Sequence, residues 1–106
     1  MFVRYTSVYE KWVHKLKDFV TKGVISDHVD RFINNSSGDI SFVRDKISEL
    51  RIHYGSGYRI YFSKQGKEII ILLCGGNKST QERDIKIAKK LLKKLEAENE
   101  SKVISL

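Results

Sequence analysis

Apolar residues recur at two different spacings along this chain, and the change of spacing divides it. Tyr9, Trp12, Val13, Leu16, Phe19 and Val20 return every three or four residues, the period of an amphipathic helix. Gly23 is the expected break. Ile25, His28, Val29, Phe32 and Ile33 resume the period on a second helix, which stops in the turn-rich run Asn34-Asn35-Ser36-Ser37-Gly38-Asp39. Two short helices joined by a few residues are expected to pack as an antiparallel hairpin. Ahead of them, residues 2–5 read as a short strand, and Thr6 or Ser7 can cap the first helix.

Beyond residue 40 the period shortens to two. Residues 40–43 suggest a short strand, and residues 47–54, 58–63 and 68–74 suggest longer ones. Gly55-Ser56-Gly57 and Lys64-Gln65-Gly66-Lys67 supply the turns between them. The run Ile69-Ile70-Ile71-Leu72-Leu73 is apolar on both alternation sets, as expected of a central strand covered on both faces. After Gly75-Gly76-Asn77-Lys78 the helical period returns at Ile85, Ala88, Leu92 and Leu95, with Ile87 and Leu91 widening the stripe. Ser79 and Glu82 have the spacing of a capping box at its start. The order predicts an α+β fold: a strand, a helical hairpin, a three- to four-stranded antiparallel meander and a C-terminal helix. The helices are expected on one face of the sheet, leaving the other open. Residues 1–98 read as one domain and 99–106 as a loose tail.

The two faces of the predicted hairpin differ in chemistry. Leu50, Ile52, Tyr58, Ile60 and Phe62 fall on one alternation set, while Glu49, Arg51, His53, Arg59 and Tyr61 fall on the other. Strands joined by a tight turn bring Arg51 and Arg59 close across the ladder. Two adjacent cations repel unless an anion lies between them, and arginine binds phosphate through paired donors. Imidazole is the side chain that ordinarily titrates near neutrality, which suits His53 to proton transfer. Tyr61 offers a hydrogen bond or a stacking surface. An ordinary mixed polar face gives the same pattern, with Glu49 pairing one of the arginines.

Composition fits an anionic partner. The chain has 106 residues, 41% hydrophobic and 31% charged, with a formal net charge of +7. That balance suits RNA, DNA, an acidic protein or, less often, a membrane surface. Its one cysteine, Cys74, excludes an internal disulfide and a cysteine zinc cluster, and its apolar setting points to a buried thiol. The longest apolar run is far shorter than a membrane span, and the first residues lack a signal-peptide core, so a cytoplasmic protein without a membrane partner is expected.

Three further features carry less chemistry. Gly75-Gly76-Asn77-Lys78-Ser79 lies where a strand meets a helix N-terminus. It lacks the spacing of a P-loop, and glycines tolerating positive φ at a turn explain it. Lys78 in it is still within reach of the sheet face. The last helix carries Lys86, Lys89, Lys90, Lys93 and Lys94, either a solvated face or a docking surface for an RNA backbone or an acidic partner. His14 and His28 show no metal-ligand spacing, and Glu82 and Asp84 are accounted for by helix capping.

The segments Ser48-Glu49-Leu50-Arg51-Ile52-His53-Tyr54-Gly55 and Gly57-Tyr58-Arg59-Ile60-Tyr61-Phe62 resemble the core of the RelE/ParE toxin superfamily. More closely, they resemble its HigB-type branch, the addiction module killer proteins. The run from Leu72 to Gln81, then Asp84-Ile85-Lys86-Ile87-Ala88, is similar to that branch's second signature. The run from Trp12 to Asp18 is similar to its first helix. Ser56 and Asn77 depart from it, where proline and aspartate are frequent.

The resemblance implies the toxin of a type II toxin–antitoxin pair: a metal-independent endoribonuclease that cleaves mRNA, commonly on the ribosome, and needs no cofactor. Cleavage would proceed by attack of a ribose 2′-OH, leaving a 2′,3′-cyclic phosphate. The implied partner is a cognate helix-turn-helix antitoxin, with operator DNA contacted only through it. The expected catalytic set is Arg51, His53, Arg59, Tyr61 and Lys78, with Tyr58, Lys86 and Lys89 as RNA contacts. ParE-type members instead poison DNA gyrase, and a degenerate toxin would only co-regulate its operon. Fold alone does not choose among these.

Overall fold

Thr6 starts the first helix by accepting the Tyr9 backbone N–H on its hydroxyl at 3.0 Å. The structure, a computed structural model, describes residues 2–35 and 37–104, and side chains as far as Glu98. Strand β1 (Phe2–Tyr5) precedes helix α1 (Ser7–Lys15), which ends where Leu16 turns extended. Asp18 then opens helix α2 (Phe19–Asn35). Its carboxylate accepts the Val20 N–H at 3.2 Å and the Thr21 hydroxyl at 2.8 Å, and these bonds hold its pKa below the ordinary value.

The break expected at Gly23 therefore falls at Leu16–Asp18 instead. Gly23 is exposed within α2 and caps nothing, while Asp18 supplies the acceptor that the first N–H groups of α2 require. Phe19 and Val20, expected on the buried stripe of the first helix, stand at the exposed start of α2. Both helices send side chains into one core, and between them they flank a groove of about 400 Å³ floored by Val3 and Leu72.

Strands β2 (Asp39–Arg44), β3 (Ile47–Ile52), β4 (Tyr58–Gln65) and β5 (Ile69–Gly76) form an antiparallel run. The parallel pairing of β1 with β5 makes a five-stranded mixed sheet in the order β1-β5-β4-β3-β2. Asp45 and Lys46, with φ of 53° and 67°, make the two-residue turn between β2 and β3. Positive φ at both central positions is the requirement of a type I′ hairpin turn.

Each face of the sheet has its own core. Tyr9, Ile25, Val29 and Phe32 pack on Leu50, Ile52, Ile60, Phe62, Ile70 and Leu72. Opposite, helix α3 (Gln81–Ile104) lays Ile85, Ala88 and Leu92 on Ile47, Tyr61, Ile71, Leu73 and Cys74. The expectation of helices on one face and an open second face is thus corrected. A strand apolar on both sides, as β5 is, requires cover on both, and α3 provides the second cover.

Gly75 and Gly76 close β5 without positive φ; their role is close approach, not turn geometry. A Cβ on Gly75 would sit 2.4 Å from the Trp12 ring, and one on Gly76 would sit 1.8 Å from Asp84 Oδ2. The chain then enters α3 through a 3-10 turn, Lys78–Thr80. Asn77 Oδ1 accepts the N–H groups of Ser79 and Thr80, and the Thr80 hydroxyl accepts that of Asn77. This box replaces the expected Ser79–Glu82 pair. The backbone of α3 runs to Ile104, past the boundary placed at residue 98, and residues 105 and 106 lie outside the described residues.

Candidate active site on the sheet

Strand register sets one line of side chains across four strands. Asp39 is opposite Arg51, Arg51 is opposite Arg59, and Arg59 is opposite Gly76. Residues opposite one another share a face. The neighbouring line, Glu49–Tyr61–Cys74, lies beneath α3. The arginine line emerges at the edge of that cover: the side chains of Arg59, Arg51 and His53 are 17%, 35% and 74% exposed.

Both guanidiniums already hold carboxylates. Arg59 Nη1 donates to both oxygens of Glu49 at 3.3 and 3.2 Å. Glu49 is 4% exposed, has Gln81 Nε2 at 3.4 Å, and faces Arg51 Nη1 at 3.9 Å. Arg51 Nη2 donates to Asp39 Oδ1 at 2.9 Å, and His53 Nε2 lies 2.7 Å from Asp39 Oδ2. The His53 and Arg51 contacts, in that order, hold the Asp39 carboxyl below the ordinary range. The alternative in which Glu49 pairs with one arginine is the arrangement seen, and Asp39 extends it: two arginines are matched by two carboxylates. Of their remaining donors, Arg51 Nε is buried and has no hydrogen-bond partner among the described residues.

Arg51, His53, Arg59 and Lys78 line one depression of about 200 Å³, walled by Tyr58 and the Ser56-Gly57 turn. The turn is shaped by Gly55 and Gly57, with φ of 60° and 91°. Lys78 is exposed there, directly after β5. Tyr58 is half-buried, its ring edge-on to Trp12 at 6.4 Å between centroids.

Tyr61 does not join them. Expected to position or stack a nucleotide, it is 0% exposed, sealed between β4 and α3. Its phenol pKa is pushed up, chiefly by burial and then by Glu49. Period-two alternation put Tyr61 on the face of Arg59, and α3 covers that part of the face. Lys86 and Lys89 lie on α3 outside the depression, and Lys89 pairs with Asp45 at 3.1 Å.

Asp39 was not singled out in the sequence, where it reads as the end of a polar turn. Cys74 is buried, donates to the Asp84 carbonyl at 3.3 Å, and has its pKa pushed up to about 12 by burial and by Asp84. Among the described residues, no three His, Cys, Asp or Glu side chains are grouped so as to hold a metal ion. Among the described residues, no helix is long and apolar enough to cross a membrane.

The architecture is an α+β RelE-like fold. It superposes on a chain of the intact Escherichia coli RelBE toxin–antitoxin complex with a TM-score of 0.58, over 72% of this chain and 94% of that one. At 11% identity the likeness is one of fold. Residues 9–96 match the family described as phage derived protein Gp49-like, and the chain belongs to that family. An uncharacterized protein of Haemophilus influenzae is 44% identical over 93 residues, covering 88% of this chain and 94% of that protein.

Proposed function

We propose that this chain is the toxin of a type II toxin–antitoxin pair, of HigB-like type, acting as a metal-independent endoribonuclease on mRNA. The observation that carries the reading is the pairing of Arg51 with Arg59 in one depression with His53 and Lys78, on a RelE-like scaffold. Fixed cationic donors are suited to the charge that develops on a phosphorane, and held in place they need no reorganisation as the reaction proceeds.

In this reading Arg51 and Arg59 receive the scissile phosphate on the donors that Asp39 and Glu49 leave open, and Lys78 adds charge from the rim. The ribose 2′-OH attacks phosphorus, its proton leaves to a base, and the 5′ oxygen departs with a proton, giving 2′,3′-cyclic phosphate and 5′-OH ends. His53 is the proton-transfer group, exposed at the depression. Tyr58 takes the place given to Tyr61 as the aromatic beside the RNA. The partners are mRNA, on the ribosome, and a cognate helix-turn-helix antitoxin through which operator DNA is bound.

One observation favours a second reading. Both arginines are already met by carboxylates, as an architectural network would be, and this suits a ParE-like toxin that acts on gyrase without cutting RNA. Brief induction separates the two. Primer extension on cellular mRNA, with chemical analysis of the new 3′ ends, shows discrete cuts carrying cyclic phosphate if the nuclease reading holds. Intact mRNA with broken DNA moves the assignment to gyrase. Arg59→Lys keeps a charge for Glu49 but loses the paired donors, and cutting falls roughly 100- to 1000-fold; cutting at the wild-type rate overturns the assigned role.

A further inference from the structure

We propose that Asp39 is a positioning residue that fixes the tautomer of His53, keeping the ring proton on Nε2 and leaving Nδ1 as the proton acceptor of the site. The inference rests on the nuclease reading for its catalytic consequence, but not for its geometry. A single carboxylate holds both partners: Oδ1 accepts from Arg51 Nη2 at 2.9 Å, and Oδ2 lies 2.7 Å from His53 Nε2.

An ionised carboxylate only accepts, so the nitrogen against it must carry the proton. The direction of the Asp39 pKa agrees, since contacts to His53 and Arg51 favour its charged form. Neutral His53 then has its lone pair on Nδ1, the nitrogen able to take a proton from a 2′-OH. The other charged or titratable groups lining the depressions around His53 are cations, a second imidazole and the Tyr58 phenol, none of them a carboxylate. Arg51, Arg59 and Lys78 line the depression, and His28 and Arg31 of α2 line its neighbour on the far side of Asp39. Among these residues Asp39 is thus the acceptor that selects the tautomer.

Arginine sharpens the test, because Arg51 can only donate. An asparagine at position 39 must turn its carbonyl oxygen to Arg51, which directs its NH₂ at His53 Nε2. The ring then accepts at Nε2 and carries its proton on Nδ1, the wrong tautomer for a base. Alanine imposes neither tautomer. A role in folding or in local charge makes Asp39→Asn the milder change, whereas a role in tautomer selection makes it the more harmful one. Asp39 is exposed, so neither substitution removes core packing.

Two measurements decide the matter. Long-range proton–nitrogen correlation spectra of the intact protein near neutral pH, with His53 assigned by its loss in His53→Gln, report the tautomer with no RNA present. The wild type shows Nε2–H, Asp39→Asn shows Nδ1–H, and Asp39→Ala shows a mixture. In a cell-free translation reaction, Asp39→Asn loses about 100-fold or more in mRNA cutting, and Asp39→Ala stays at least about tenfold above it. A wild-type Nδ1–H tautomer, a tautomer unmoved in Asp39→Asn, or asparagine cutting as well as alanine overturns the proposal. Should the wild-type protein leave mRNA intact, the nuclease reading falls, and the spectra still decide the role of Asp39.

Discussion

Glu49 and Arg59 form an ion pair at the edge of a core: the carboxylate is 4% exposed, and both its oxygens take Nη1 of the arginine, at 3.3 and 3.2 Å. Removing Arg59 leaves the buried carboxylate with only Arg51, at 3.9 Å, as a counter-ion, and breaking a buried pair costs up to about 3–5 kcal/mol. Arg59→Ala should therefore lower stability by up to that amount in urea unfolding. Any loss of toxicity in that variant mixes chemistry with folding. The double variant Arg59→Met with Glu49→Gln removes both charges and should recover most of the stability while remaining inactive. A double variant as unstable as Arg59→Ala would show that the pair is not the source of the cost.

Tyr61 should be dispensable for activity. Its hydroxyl is buried and has no hydrogen-bond partner among the described residues, and its ring belongs to the core beneath α3. Leaving a hydroxyl buried and unpaired costs about 1–3 kcal/mol. Tyr61→Phe removes it and keeps the ring, so the variant should be as stable as the wild type or more so. It should also retain full toxicity on induction. A loss of toxicity without loss of stability would return Tyr61 to the site.

The fate of Tyr61 shows what the sequence made legible and what it did not. Alternation placed Arg51, Arg59 and Tyr61 on one face, and the register agrees. The double-sided apolar run at Ile69 to Leu73 also held the sign that both faces are covered, and the apolar stripe of the last helix was visible, but periodicity does not say which face of the sheet a helix takes. Asp39 was hidden by one residue. A regular two-residue turn at Asp45-Lys46 would pair position 40 with Arg51, but an irregularity between Phe42 and Arg44 shifts the ladder and brings Asp39 there instead. A one-residue shift exchanges the faces of a strand, and a bulge leaves little local signature in composition. The helix break failed for a related reason. Gly23 is a conspicuous breaker, while the Asp18 cap that sets the boundary is an ordinary aspartate among charged neighbours.

Gly75 and Gly76 are predicted to be intolerant of any side chain, each for a different reason. The added Cβ of Gly75→Ala would meet three atoms of the Trp12 ring at 2.4–2.6 Å, a wide, rigid obstacle. That of Gly76→Ala would meet Asp84 Oδ2 at 1.8 Å and the Thr80 hydroxyl at 2.7 Å, displacing the bond between those two residues. Overpacking of this kind costs typically about 1–3 kcal/mol. Gly75→Ala should be partly rescued by Trp12→Leu, and Gly76→Ala by Asp84→Ala, with no rescue when the partners are exchanged. Thermal melts of the four double variants test this. Rescue by either partner indiscriminately would mean that the two glycines do not face opposite cores.

Stability should fall on the alkaline side, and Cys74 should report it. Burial first and the Asp84 carboxylate second push its thiol from 9.0 up to about 12, while burial and then Asp30 push Tyr9 from 10.0 to about 12. Both folded-state values lie above the unfolded ones, so the folded chain keeps its protons where the unfolded chain releases them. The contribution is whole below the unfolded values, and linkage removes it progressively as pH rises toward 12. The urea midpoint should therefore decline between about pH 9 and 11, less steeply in Cys74→Ala and Tyr9→Phe, each of which removes one titrating group. The same burial should block alkylation: iodoacetamide at pH 8 should label Cys74 only when denaturant opens the chain, since the thiolate is the nucleophile. Rapid labelling of the native protein, or slopes identical in the wild type and both variants, would mean that the core around β5 and α3 is more open than its packing implies.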